Sequence, residues 1–315
     1  MEIYEHRAGH SVNQHWLLSI TVLVLIVFGT LAILQTIAIG LIPVFFGISF
    51  DELPGLLATT LDHPNSRMAF LFIQGLGGGL AFLLGGWLFI RLVDKKTLKI
   101  KKQFARTAPG KLWIILPLLF GFVLFNSLLV YLNMNVEFPE ALSELEAMFR
   151  EKEDQLMELT KFLTDFDSTA ELLMGILVIG ILAGVGEEYL FRGIIQPKLH
   201  NYTGNAHLGV WITAFIFSAI HFQFYGFLPR LMLGALFGYL YLYSGTLIYP
   251  MLAHILNNTF TLILVYLNKL SLIEFDMEDA SNLYWEYVVL GLIVFLISWK
   301  KFLTFQKSET YGEVA

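Results

Sequence analysis

Two adjacent glutamates and an arginine stand inside an apolar stretch, GVGEEYLFRG, at Gly184–Gly193. A charge in hydrocarbon costs at least about 2.5–3.5 kcal/mol on insertion scales, so three within six residues need partners or a polar cavity. Helical spacing divides their tasks. Glu188 and Arg192 are i and i+4, share a face and can pair. Glu187 points about 100° away from Glu188 and is left without that partner. A carboxylate turned toward a cavity can serve as a general base toward water, whereas one that snorkels at the membrane boundary does no chemistry. Depth favours the first: Glu187 lies 15 residues in from Leu172, about 22 Å of helix.

Two further polar spots interrupt apolar sequence. FSAIHF, Phe217–Phe222, holds His221 one turn after Phe217; AHILNN, Ala253–Asn258, holds His254, Asn257 and Asn258. Taken singly, an intramembrane histidine is most often an interhelical hydrogen-bond donor. His254 shares a helix face with Asn258, and nearly so with Asn257, so the two can offer two donors to one oxyanion. The joint set of a free carboxylate, a histidine and a His/Asn pair is the inventory for hydrolysing an amide without a covalent intermediate. Other hydrolytic chemistries fit less well. There is no Gly-x-Ser-x-Gly and no cysteine. GVGE is faintly similar to the Gly-x-Gly-Asp of presenilin-type aspartyl proteases, but no second aspartate stands on a partner span. The zinc signature His-Glu-x-x-His is absent, although Glu187, His221 and His254 together can still ligate a metal.

Membrane helices must position these residues. The 315 residues are 56% hydrophobic and 15% charged, with mean hydropathy +0.66, and the excess comes in long blocks. Eight are read: 16–42, 68–90, 112–132, 172–195, 208–222, 231–247, 251–267 and 287–299, the sixth and seventh separated only by IYP around Pro250. The segment 91–111 carries Arg91, Lys95, Lys96, Lys99, Lys101, Lys102, Arg106 and Lys111 against Asp94 alone, so the positive-inside rule makes it cytoplasmic. Both termini then fall inside. The acidic segment 133–171 and the loop around Glu274–Asp279 fall outside. The opening residues MEIYEHRAGHSVNQH lack a cleavable signal pattern. Segment 138–166 places Leu142, Leu145, Phe149, Leu156, Leu159, Phe162 and Phe166 at helical spacing; its acidity argues for packing on the protein rather than on anionic lipid. Small-residue pairs at Gly75/Gly79, Gly180/Gly184 and Gly234/Gly238 mark close helix approaches, and Gly180/Gly184 are expected to admit the helix carrying His221. The fold class is an all-α polytopic membrane protein, a bundle of about eight transmembrane helices with N- and C-termini cytoplasmic. Its expected organisation is an N-terminal three-helix region over 1–171, a catalytic helical core over 172–267, and a loop, last helix and tail over 268–315.

EEYLFR (187–192), FSAIH (217–221) and HILNN (254–258), in that order on hydrophobic segments, resemble the three signature motifs of the CPBP family, which comprises CAAX proteases and bacteriocin-processing enzymes and is also called Abi. The match covers roughly Leu172–Leu267. The resemblance implies an intramembrane glutamic endopeptidase. Glu187 would activate water together with His221, His254 and Asn258 would form the oxyanion hole, and Glu188, Arg192 and Phe217 would support the site, which in the family opens toward the cytoplasm. The expected partners are a protein or peptide substrate, prenylated or leader-bearing, and the lipid bilayer; no nucleic acid, cofactor or metal is called for. The expected location is a prokaryotic cell (inner) membrane. Two other readings use the same residues: a zinc-dependent membrane hydrolase, and a non-catalytic scaffold or immunity factor. One geometric demand follows. A fifth helix starting at Leu208 carries His221 about 20 Å deep, while Glu187 lies about 8 Å from the inner boundary of a core about 30 Å thick, so that helix must be tilted, offset or re-entrant.

Overall fold

The computed structural model describes residues 4–6, 15–275 and 282–312, so the acidic loop around Glu274–Asp279 lies partly outside the described residues. The chain is almost wholly helical. Its principal helices are α1 (Trp16–Phe46), α2 (Ser66–Leu92), α3 (Pro109–Met134), α4 (Ser143–Thr164), α5 (Thr169–Thr203), α6 (Ala206–Ala219), α7 (Phe227–Ser244), α8 (Ile248–Lys269) and α9 (Trp285–Gly312). Among the described residues, α1, α2, α3, α5, α8 and α9 are long and apolar enough to cross a membrane. The protein is an all-α polytopic membrane protein.

The remaining two of the eight expected crossings are helices of a different kind. At 14 residues, α6 is about 21 Å long, short of a bilayer core about 30 Å thick. Asn205 caps its start by accepting from His207 N and Leu208 N, directly after Gly204 closes α5 in the left-handed region at φ +66°. The helix stops at Ala219, so His221 lies in the turn beyond it and not inside a helix reaching Phe222. Phe222 has φ +56°, a left-handed conformation that a large side chain rarely adopts and that no α-helix can continue through. The break between α7 and α8 also falls earlier than Pro250. Gly245 turns the chain at φ +67°, and Pro250 sits in the first turn of α8, where its missing N–H costs nothing.

The loop between α6 and α7 would expose backbone polar groups at membrane depth unless protein covers them. Here α3 and α4 do so. Asn133 of α3 accepts from Leu228 N at 2.7 Å and donates to Phe224 O at 3.0 Å. Glu153 of α4 accepts from Tyr225 N at 3.1 Å and from Gln223 Nε2 at 3.0 Å, and Phe149 stacks on Phe224. The acidic helix α4 therefore packs on the protein. Its far end is tied down by a charged cluster: Arg67 reaches Asp167 at 2.8 Å and Glu171 at 2.6 Å, and Lys269 reaches Asp165 and Asp167 at 2.7 and 2.6 Å. Hydrogen bonds from Arg67, then Lys269, hold the Asp167 carboxyl down at about 2. A depressed carboxylate stabilises the fold above its ordinary range and loses that contribution only as pH falls through about 2.

Close approaches follow the glycines. A Cβ on Gly79 would meet the Leu182 carbonyl, and one on Gly186 the Gly79 carbonyl, so α2 and α5 cross at backbone contact. Added Cβ atoms on Gly180 and Gly184 would meet Thr259 and Ile255 of α8. These two glycines thus admit the helix carrying His254 and Asn258, and not the one leading to His221 as expected from sequence. At the opposite end from α4, a two-stranded antiparallel sheet pairs β1 (Tyr4–His6) with β2 (Lys96–Leu98) and puts the N-terminal strand beside the basic segment.

Candidate active site

The centre is built where α5 meets α7 and α8. Within α5, π-helical turns at Ile176–Leu182 and Phe191–Ile195 flank the α-helical Ala183–Leu190. Such turns widen the helix and shift its register, often at functional positions. Glu188 and Arg192 pair as their spacing predicts, Nη1 to Oε1 at 2.6 Å, with both side chains completely buried. Arg192 Nη2 donates to Gly234 O of α7 at 2.8 Å. The guanidinium stands over the rings of Phe217 at 4.7 Å and Phe237 at 5.5 Å, faces that attract a cation.

Glu188 has a second partner that spacing alone does not reveal. Its Oε1 also accepts from His254 Nδ1 at 2.8 Å, which assigns the Nδ1 proton and turns Nε2 the other way. That Nε2 lies 3.9 Å from Glu187 Oε2, beyond direct hydrogen-bonding distance. Among the described residues Glu187 makes no hydrogen bond. Its side chain keeps 15% exposure while Glu188 has none. The imidazole of His254 is clamped between rings, stacked on Phe237 at 5.0 Å and edge-on to Phe217 at 5.9 Å. Its orientation is therefore set on three sides.

His221 approaches from the turn after α6. Its Nδ1 donates to Phe217 O at 2.7 Å, leaving Nε2 as the acceptor of a neutral ring. Phe217 stands between the two imidazoles, with its centroid 5.2 Å from that of His221. No hydrogen bond or ion pair joins His221 to Glu187 among the described residues. The helix leading to His221 is shorter than a crossing helix and ends at Ala219, before the histidine. Asn258, four residues after His254 on α8, is engaged: its Nδ2 donates to Ile179 O of the π-helical turn at 2.9 Å, leaving one N–H of the amide. Its neighbour Asn257 donates to Asn258 Oδ1 at 3.3 Å. No group of three or more His, Asp or Glu side chains is placed to hold a metal ion among the described residues.

Beside this centre lies a cavity of about 840 Å³ at the α4 end of the bundle, whose wall includes Asn257, Arg230 and Glu153. Burial is the largest influence on Glu153 and pushes its carboxyl above the usual range. Arg230 is within electrostatic range of both Glu187 and His221. Sequence reading missed Arg230, Phe237 and Gly234 as parts of the site. The signal for Arg230 is a lone charge directly before the apolar block that begins at Leu231.

Residues 169–260 match the family described as type II CAAX prenyl endopeptidase, Rce1-like. The helical core belongs to the CAAX protease (CPBP) family. The matched segment contains Glu187, Glu188, Arg192, His221, His254 and Asn258, and so the three motifs on which the resemblance rests. The chain is also similar to a Bacillus subtilis (strain 168) protein, "Uncharacterized protein YpbD", at 32% identity over 83 residues, which is 25% of this chain and 39% of that protein. The match thus spans about two-fifths of that relative's length. No solved structure gives a significant match.

Proposed function

We propose that the protein is an intramembrane endopeptidase that hydrolyses a peptide bond of a membrane-associated protein or peptide through a glutamate-activated water. The observation that carries this reading is the division between the two adjacent carboxylates. Glu188 Oε1 is shared by Arg192 and His254, whereas among the described residues Glu187 has no hydrogen bond and lies 3.9 Å from His254 Nε2. In the proposed step, Glu187 takes a proton from water as the oxygen attacks the scissile carbonyl carbon, with the acceptor Nε2 of His221 holding the same water. The carbonyl π electrons move onto oxygen, and His254 and Asn258 donate to the resulting oxyanion. Because His254 Nδ1–H is given to Glu188, donation from Nε2 requires both ring nitrogens to be protonated. Glu188 is the anion that accompanies such a charged ring. Collapse of the intermediate expels the amine, which leaves with the proton Glu187 had taken up.

The substrate would be a prenylated tail, a leader-bearing peptide or another membrane-protein segment, and the setting a prokaryotic cell membrane. The deciding experiment uses purified protein and a cleavable peptide. Glu187→Gln should lower kcat by about 10²–10⁴-fold, the usual contribution of a positioned acid–base group, with the fold intact. Undiminished turnover would remove the reading. Comparing membrane proteomes of cells carrying the wild type and Glu187→Gln should then reveal the uncleaved substrates. Chelator insensitivity, together with metal analysis of the purified protein, separates this mechanism from a zinc hydrolase.

A further inference from the structure

We propose that the cavity beside the catalytic centre binds a peptide tail and that Arg230 receives a carboxylate of that peptide. This rests on the peptidase reading and names the chemistry of its substrate pocket. The cavity, about 840 Å³, is of the size that encloses a small ligand. One wall is apolar, formed by Val123, Leu124 and Val130 of α3 with Leu233 of α7; Asn257 and Arg230 are also part of the lining. Arg150, Glu153 and Asp154 share the lining, and an occupant with apolar side chains and a single anionic group suits the apolar wall and Arg230.

Arg230 is held as a receptor would be. Its Nη2 donates to Gln223 Oε1 at 2.7 Å, and Gln223 Nε2 donates to Glu153 Oε1 at 3.0 Å. Nη1 is buried, and among the described residues it has no hydrogen-bond partner. No carboxylate of the described residues lies within 4 Å of the guanidinium. Gly226 makes room for it, since a Cβ there would stand 3.1 Å from Nη2 and 3.5 Å from Nη1. An unpaired donor on a desolvated cation is the costly half of an ion pair, and a ligand carboxylate completes it with charge-assisted hydrogen bonds. Glu153 and Asp154 also line the cavity. They disfavour a doubly charged phosphate more strongly than a singly charged carboxylate.

The carboxylate can come from the chain terminus of the substrate or from an Asp or Glu side chain. Three versions of one short peptide with an apolar C-terminal end distinguish them: the free acid, the C-terminal amide, and the amide with Asp at the penultimate position. Binding is measured in detergent on the Glu187→Gln protein, so it does not depend on hydrolysis. At least one carboxylate-bearing peptide should bind about tenfold or more tightly than the plain amide, and which one does so identifies the source. Arg230→Gln in the same background should reduce that preference to within about twofold, and Arg230→Lys, which keeps the charge without the planar fork, should retain part of it. The thermal unfolding midpoint of each variant checks that the pocket is still folded. Equal binding of all three peptides, or a preference that survives Arg230→Gln, would overturn the assignment. If the preference is found but wild-type protein cleaves none of the peptides, the peptidase reading fails and the pocket stands.

Discussion

Glu187 and Glu188 are adjacent in the chain and meet opposite nitrogens of one imidazole, His254. The helix turns them about 100° apart, so one bonds Arg192 and His254 and the other lies toward the far nitrogen of the same imidazole. Glu188 is therefore a positioning residue whose charge has two claimants. Glu188→Gln keeps the shape, removes the anion and leaves Arg192 buried with Gly234 O and two ring faces. Breaking a buried pair from one side typically costs about 3–5 kcal/mol, so its unfolding transition should shift far more than that of Glu187→Gln. Adding Arg192→Met to Glu188→Gln should recover much of that stability, because removing both charges is nearly neutral in many buried pairs. Activity should not recover, because His254 no longer has the carboxylate that fixes its tautomer. Stability that fails to recover in the double variant would mean that the loss does not come from the stranded Arg192 charge.

Elements place these side chains through two devices, close crossings and a short helix. The crossing of α2 and α5 depends on Gly79 and Gly186, whose added Cβ atoms would strike main chain. Backbone cannot move aside as a flexible side chain can. Gly186→Ala should therefore destabilise by about 1–3 kcal/mol, and its position next to Glu187 should lower activity as well. Gly78 is on the same helix as Gly79, with nothing within 4 Å of its added Cβ, so Gly78→Ala should be neutral or stabilising by the helix propensity of alanine. Unfolding curves of the Gly186 and Gly78 variants in detergent measure the contrast, and similar losses for both would refute the close-crossing account. The short α6 works differently. By ending at Ala219 it leaves His221 in a turn at depth, a place open to backbone only because Asn133 and Glu153 satisfy its polar groups.

At the scale of the whole molecule, the bundle has a basic end and an acidic end. His254 is six residues into α8, about 9 Å of rise from its start, and that start is anchored to the basic segment through Gln103 with Leu247 N and Tyr249 with Ala108 N. The cavity approaches from the other end, under α4. If the basic segment is cytoplasmic, as the positive-inside rule expects, the mouth of this cavity faces away from the cytoplasm, opposite to the opening that the family resemblance implies. The absence of cysteine makes the test direct. A cysteine at Glu151 should react with a membrane-impermeant maleimide in intact cells, and one at Lys101 should react only after permeabilisation. The reverse pattern would turn the cavity toward the cytoplasm and reconcile it with the family.

Composition and spacing alone determined the membrane-embedded helical class, the Glu188–Arg192 pair and the three polar motifs, because hydrophobic block length and i, i+4 geometry are local properties. They also located glycine pairs as close contacts, but not which helix each contact admits. Gly180 and Gly184 receive α8 because the rotation of α5, altered by its π-helical turns, aims that face at Ile255 and Thr259. The link from Glu188 to His254, the engagement of Asn258 with Ile179 O, and the cavity wall containing Arg230 all join residues far apart in sequence. No local period encodes such contacts; only the packing of helices around the site decides them.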